Sequence, residues 1–288
     1  MTPSKVLTAR SVEEALSLLF QHGEKAKFLS GATDLLMQMK RGEAVPECLI
    51  RLGEIRELDF IRHDDTGGLR VGALTTIVEV ANSPLIRRKF SILAQAAGML
   101  GTPAIRNQAT LGGNLCNAAP SADTAPPLLV LGAKAKIIGK EGEKIVPLED
   151  FFVGPGLTIL GQDHLLTEIQ VPNILPHSGG AYLKQKRRQG ADLGVVGVAA
   201  LVVMGGEIFK DVKIALGAVA PIPMRAKKAE EILRGRKLDQ ELLEESGEAA
   251  AGEASPIDDI RGSADYRREL LAVLTKRAIT QAIQQAEG

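Results

Sequence analysis

The chain has 288 residues, with Lys plus Arg at 35 balanced by Asp plus Glu at 35; 45% of residues are hydrophobic, 3% aromatic, and Trp is absent. At about 150 residues per domain, this length suggests two domains and suffices for a buried core. The zero net charge argues against a general nucleic-acid binder, the scarcity of aromatics against a base-stacking platform, and the apolar content against disorder.

The predicted elements begin with a helix capped by Ser11 and Glu14, carrying Leu16, Leu19 and Phe20 on its apolar side. Lys27–Ser30 reads as a strand running into Gly31-Ala32-Thr33-Asp34, and Leu35 to Lys40 is amphipathic. Strands are expected over Cys48–Leu52 and Leu69–Leu74, a helix over Phe90 to Leu100, and a loop over Gly101 to Pro120. Pro126 and Pro127 suit the first turn of a helix. Lys134–Ile138 and Lys144–Pro147 form a hairpin pattern. This alternation indicates an α+β or α/β unit ending near Pro172. Pro172–Gly180 reads as a linker. Beyond it, Leu193–Met204, a Gly205-Gly206 turn and Glu207–Val219 make an antiparallel hairpin. Asp239–Glu253 is expected as an exposed helix and linker, and a last helix runs from Tyr266 to about Ala286.

Cys48 and Cys116 are too few for a disulfide framework or a cysteine-rich metal site. Residues 1–20 lack the order of an export signal, and no apolar run approaches the ~20 residues of a membrane span, so a cytoplasmic protein is expected. Two glycine-centred loops carry the candidate chemistry: Leu29 to Leu36, and Ala109 to Leu115. Glycine permits close backbone approach, and successive N–H groups can form a concave nest for phosphate. Thr33, Thr110 and Asn114 add side-chain donors, and neither loop holds a lysine. The alternative for each loop is a tight turn that merely needs glycine. The Rossmann fingerprint, the P-loop and the nucleophile elbow are absent from the sequence. His22, His63, His164 and His177 are scattered and read as surface or loop residues. Cys116 reads as a small packing residue. Asp123 is either a carboxylate at a helix start or an acceptor for ligand hydroxyls. Lys184 to Arg188 is either a solvated charged run or a contact for a diphosphate or an acidic partner.

The stretch Pro103-Ala104-Ile105-Arg106-Asn107-Gln108-Ala109-Thr110-Leu111-Gly112-Gly113-Asn114-Leu115-Cys116-Asn117, continuing through Ser121-Ala122-Asp123, resembles the FAD-binding subunit of the xanthine dehydrogenase family of molybdenum hydroxylases. Supporting stretches are Gly31 to Leu35, Val71 to Thr76, Phe152 to Gly156 and Leu216 to Pro223. The resemblance implies an α+β fold: an FAD-binding region of two α+β subdomains, of the vanillyl-alcohol-oxidase-like or PCMH type, over 1–174, and a C-terminal α+β domain of the CO dehydrogenase flavoprotein type, with a three-stranded antiparallel sheet, over 175–288. It implies that Leu29, Ser30, Gly31, Ala32, Thr33, Asp34, Leu35 and Leu36, together with Thr110, Gly112, Gly113 and Asn114, hold a non-covalent FAD. Asn117, Asp123, Leu166 and Lys184 match further FAD contacts, and Leu100 replaces an aromatic common in the family. Ala32 replaces a family glycine, and an ordinary backbone conformation is expected there.

The implied role is electron transfer from the [2Fe–2S] clusters of one partner subunit, in a complex with a molybdenum-pterin subunit, to an acceptor such as NAD+ in a heterotrimer. No acid or base catalytic residue is assigned. The alternatives are a carbon monoxide, nicotinate or other heterocycle dehydrogenase subunit, or a non-catalytic nucleotide-binding scaffold.

Overall fold

A computed structural model describes residues 5–188, 190 and 192–287. Three larger sheets follow one another along the chain. The first is parallel, β1 (Lys5–Thr8), β2 (Ala26–Leu29) and β3 (Cys48–Arg51), in the order β1-β3-β2. Helix α1 (Val12–His22) connects β1 to β2, and α2 (Leu35–Arg41) connects β2 to β3. Ser11 caps α1 by accepting from Glu14 N–H at 3.1 Å, but the Glu14 carboxylate takes the N–H of Arg10. Val12, Ala15 and Leu19 are the buried stripe of α1. Phe20, expected on that side, is 70% exposed and lies under the Lys140 ammonium. At 100° per residue it falls past the edge of the stripe that Leu19 closes.

The second sheet is antiparallel, β4 (Ile61–Asp64), β5 (Gly68–Gly72), β6 (Lys134–Gly139), β7 (Gly142–Pro147) and β10 (His164–Val171), in the order β4-β5-β10-β6-β7. Between β5 and β6 come α3 (Ile77–Asn82), α4 (Pro84–Lys89), α5 (Ser91–Met99), α6 (Pro103–Arg106), α7 (Leu111–Cys116) and α8 (Ala125–Val130). The expected loop over 101–120 thus contains two short helices, each started by a threonine cap, Thr102 and Thr110. Their turns are too short for hydrophobic periodicity to register. Helix α8 begins on its prolines and is buried on every side. A small ribbon, β8 (Phe152–Gly154) with β9 (Leu157–Thr158), precedes β10.

The third sheet is β11 (Ser178–Gln185), β12 (Val196–Gly205), β13 (Ile208–Gly217) and β14 (Met224–Arg225), antiparallel in chain order. It has four strands rather than three because Met224–Arg225 adds a short edge to β13. Helices α9 (Lys227–Leu233), α10 (Gln240–Glu253) and α11 (Ala264–Glu287) follow. Helices α9, α10 and α11 share one core with this sheet, while Tyr182, Ala199 and Ala215 join the core built around α5 and α8. Arg225 pairs with Glu230 and also reaches Glu149, at 3.0 Å, in the turn after β7.

The expected linker and the expected exposed helix also differ in the structure. The linker ends early, since Ser178 already pairs with Val203. Gly179 and Gly180 mimic a linker because their missing side chains make room. A Cβ at Gly179 would strike the carbonyl of Ala282 in α11, and one at Gly180 would meet Ile92 at 3.3 Å. Residues 239–253 are not an exposed linker. Leu242, Leu243, Ser246, Gly247 and Ala250 are buried, and a Cβ on Gly247 would lie 2.6 Å from the Ala272 carbonyl. Small residues make that contact, so the stretch reads as polar. Among the described residues, no helix is long and apolar enough to cross a membrane.

Substituting Gly179→Ala should destabilise the chain by about 1–3 kcal/mol, the usual cost of overpacking, seen as a lower urea midpoint. A second test concerns Glu168. Burial pushes its carboxyl up, but the paired bonds from Arg70 at 2.6 Å and a bond from Gln170 outweigh that and hold it below the ordinary value. The pair's contribution is therefore complete above the unfolded carboxyl's value and is lost as pH falls through the lower folded value. Arg70→Gln should cost about 1–2 kcal/mol at neutral pH, discounted because Arg70 is partly exposed, and the cost should fade in acid when melting is followed from pH 7 to pH 3.

Candidate functional site

The two glycine loops lie against each other. The first leaves the end of β2 and enters α2; the second leads from Ala109 into α7. A Cβ on Gly31 would strike the Gln108 carbonyl, so the two backbones touch at a position only glycine can fill. Ser30 Oγ and Thr110 Oγ1 join at 3.1 Å, and Thr110 Oγ1 caps α7 by accepting from Gly113 N–H at 3.0 Å. Gln38 of α2 donates to Asn117 Oδ1 at 3.2 Å, closing the same seam from the helix side.

The loops differ in where their N–H groups go. In the second loop, Leu111 N–H donates to Thr75 O, Gly112 N–H to Ala73 O and Asn114 N–H to Thr110 O. Those groups fasten the loop to the scaffold rather than forming a nest. The N–H groups of Gly31, Ala32, Thr33, Asp34 and Leu35 have no partner among the described residues. Unspent at the border of a cleft, such groups suit an anion. Asn114 contributes differently. Its Oδ1 accepts from the Thr124 hydroxyl at 2.7 Å, which leaves the amide NH₂ free to donate. Thr124 is fully buried.

These residues open onto a cleft of about 750 Å³, lined among others by Leu29, Leu74, Leu100, Ile105 and Leu166. That volume lies within the range of nucleotide and cofactor sites. Asp123 reaches the cleft from the segment before α8. It accepts from the Tyr182 hydroxyl at 2.9 Å and from Lys184 Nζ at 2.7 Å. Burial pushes its carboxyl up, and the Lys184 ammonium and the Tyr182 hydroxyl pull it back. Burial also pushes Asp34 up and raises the Cys116 thiol to about 12, so Cys116 carries no thiolate near neutrality.

Residues 2–174 match the model of the FAD binding domain in molybdopterin dehydrogenase, and residues 181–282 match the CO dehydrogenase flavoprotein C-terminal domain. The chain belongs to the FAD-binding subunit family of the molybdenum hydroxylases. It is 32% identical over 281 residues to the xanthine dehydrogenase FAD-binding subunit of Escherichia coli O157:H7, covering 97% of this chain and 96% of that one. It is 33% identical over 273 residues to the carbon monoxide dehydrogenase medium chain of Hydrogenophaga pseudoflava, covering 95% and 94%. A solved carbon monoxide dehydrogenase from that organism superposes with a TM-score of 0.95 at 33% identity, over 99% of this chain and 98% of the other. Quinoline 2-oxidoreductase from Pseudomonas putida 86 superposes with a TM-score of 0.93 at 29% identity, over 100% and 99%.

Within this flavin subunit, the cleft brings together Leu29, Ser30, Gly31, Ala32, Thr33, Asp34, Leu35, Thr110, Gly112, Gly113, Asn114, Asn117, Asp123 and Leu166. Two residues of the expected set stand outside the lining. Leu36 is exposed one position into α2. Lys184 is buried behind Asp123, with a side chain 1% exposed, so its charge is felt through the carboxylate. The charged run 184–188 is therefore not uniformly solvated. Gln38, Thr124 and Tyr182 are site residues that the sequence reading missed. A buried threonine or tyrosine has no local pattern that marks it, whereas Gln38 sits one turn into a helix already placed at the loop.

Ala32 departs from expectation. Its φ is +61°, in the left-handed region where a Cβ crowds the following carbonyl. The glycine that the resemblance implies at this position would meet without strain a backbone need that alanine meets under strain. Replacing Ala32→Gly should raise stability by about 1 kcal/mol, read as a higher urea midpoint of the cofactor-free chain.

Proposed function

We propose that this chain holds FAD non-covalently in the cleft and acts as the electron-transfer subunit of a molybdenum hydroxylase complex. Residues 1–174 would form the cofactor-holding domain and residues 175–288 the second domain. Its partners would be a [2Fe–2S] subunit and a molybdenum-pterin subunit in a cytoplasmic heterotrimer, with NAD+ as the acceptor. The observation that carries this reading is the run of unspent N–H groups from Gly31 to Leu35 on a cleft of about 750 Å³.

The residues present fit that cofactor. The Gly31–Leu35 N–H groups would hold the diphosphate by oriented dipoles rather than by a lysine charge. The joined hydroxyls of Ser30 and Thr110, which keep one O–H between them, and the free amide of Asn114 add donors at the same place. Gly113 lies in the cradle between the two hydroxyls, where a Cβ would sit 2.8 Å from Thr110 Oγ1 and 3.0 Å from Ser30 Oγ. Leu29, Leu74, Leu100 and Leu166 give apolar walls that exclude water from a ring system. Asp123 offers acceptor positions to hydroxyl groups. FAD, when bound, supplies the exchange between one-electron and two-electron carriers, while the protein supplies orientation and electrostatics.

Relatives named for xanthine and for carbon monoxide dehydrogenases match this chain at 32% and 33% identity, so the likeness favours neither substrate. In this reading, substrate choice belongs to the molybdenum subunit. The test is the visible spectrum of the purified full chain after incubation with FAD, with the flavin then released by heat and identified. Stoichiometric FAD is expected, and Gly113→Val should weaken its binding at least tenfold, about 1.4 kcal/mol, with the far-UV circular dichroism unchanged. A chain that takes up no flavin, or a Gly113→Val variant that holds it as tightly as wild type, would overturn the assignment.

A further inference from the structure

The Asp123 carboxylate is buried yet borders the cleft, and it is gripped from the far side by two residues of one strand. Tyr182 donates to Oδ1 at 2.9 Å, and Lys184 donates to Oδ2 at 2.7 Å. The two side chains lie on the same face of β11 because they are two residues apart. Lys184 Nζ also reaches the Met99 carbonyl at the end of α5, at 3.5 Å. Tyr182 is itself fixed. Its N–H donates to Gln95 Oε1 at 3.0 Å, and it is buried. On the neighbouring strand, a Cβ at Gly197 would lie 2.9 Å from the Tyr182 hydroxyl oxygen. Glycine at 197 is what makes room for that hydroxyl.

A carboxylate accepts about four hydrogen bonds, two on each oxygen. Tyr182 and Lys184 take one on each, so each oxygen keeps an open position. With both oxygens held, the plane of the carboxylate cannot rotate. With Lys184 alone it has a single anchor and can turn about its terminal torsion, which is intrinsically broad.

We propose that Tyr182 is a positioning residue of the cofactor site: its hydroxyl fixes the plane of the Asp123 carboxylate so that the open acceptor positions meet the hydroxyl groups of a polyol-bearing nucleotide cofactor. This rests on the reading of the cleft as an FAD site. The ionisable groups acting on Asp123 are Tyr182, Lys184 and, at longer range, Lys186, all from β11 and the residue after it. Removing the tyrosine hydroxyl removes a bond that favours the carboxylate anion, so the carboxyl protonates at higher pH.

The experiment titrates the cofactor-free full chain with FAD by flavin fluorescence between pH 5 and pH 8, for wild type, Tyr182→Phe and Asp123→Asn. Tyr182→Phe should bind FAD about tenfold more weakly at neutral pH, and the acid limb of its binding profile should move upward. Asp123→Asn should weaken binding and lose the acid limb. A purely structural tyrosine would lower the melting temperature while leaving the dissociation constant and the acid limb where they were, and that result would overturn the proposal. Should Tyr182→Phe fail to fold, an Asp123→Asn chain with wild-type affinity and pH profile would overturn it equally. Wild type that binds no FAD would overturn the reading of the cleft and the proposal with it; wild type that binds while Tyr182→Phe matches it would overturn the proposal alone.

Discussion

The cleft depends on the contact between the Gly31 backbone and the Gln108 carbonyl, which leaves no room for a side chain. A second close approach, Gly112 against Ala73, seats the other loop on the strand end that follows β5. These contacts divide the work. The 109–114 loop spends the N–H groups of Leu111, Gly112, Gly113 and Asn114 on Thr75, Ala73 and its own cap, and so becomes part of the scaffold. That rigid loop supports the 31–35 loop, whose N–H groups are then unspent. A nest that satisfied itself internally would have nothing left for an anion, and one without a scaffold would not hold its shape.

Much of this was legible in the sequence because the loops are marked by glycine and sit between strongly patterned elements. The strand into Gly31, the proline-led helix at 125–130 and the hairpin at 134–147 each follow from local chemistry. The misread linker and the misread exposed helix share a cause. Gly179 and Gly180 signal a linker when read locally, and nothing around Gly247 marks a buried face, but all three are places where another part of the chain presses close. The pressing partners, Ala282, Ile92 and Ala272, are distant in sequence, and nothing near the glycines announces them. The same holds at the site, where Thr124 and Tyr182 act through Asn114 and Asp123 and are visible only once the chain is folded.

Ala32 shows the limit of reading a motif as a list of permitted residues. The substitution of alanine for glycine is small in volume, yet the backbone at +61° makes the difference a conformational one. Left-handed backbone at a non-glycine residue costs of order 1–3 kcal/mol and persists where surroundings over-determine it. Here the over-determining groups are the Gln108 contact on one side and the start of α2, where Leu36 N–H bonds the Ala32 carbonyl, on the other. The strain is thus held by the elements that flank the unspent N–H groups of this loop.

The pairing of Asp123 with Lys184 is hard to explain as a source of stability. Moving both charges out of water costs several kcal/mol each, and their attraction repays this only with excellent geometry and satisfied remaining valences. An apolar pair of similar volume would serve the core at least as well. The arrangement makes sense as placement. It sets one carboxylate at the cleft border, neutralises its charge from behind with an ammonium that does not itself line the cleft, and holds its plane with a tyrosine hydroxyl. Because both donors come from β11, the third sheet does more than pack against the cleft: its strand register fixes where the acceptor of the site sits. Any slip of β11 by one residue would turn Tyr182 and Lys184 to the opposite face and leave Asp123 buried and unpaired, a penalty large enough to specify the register between the sheet and the cleft.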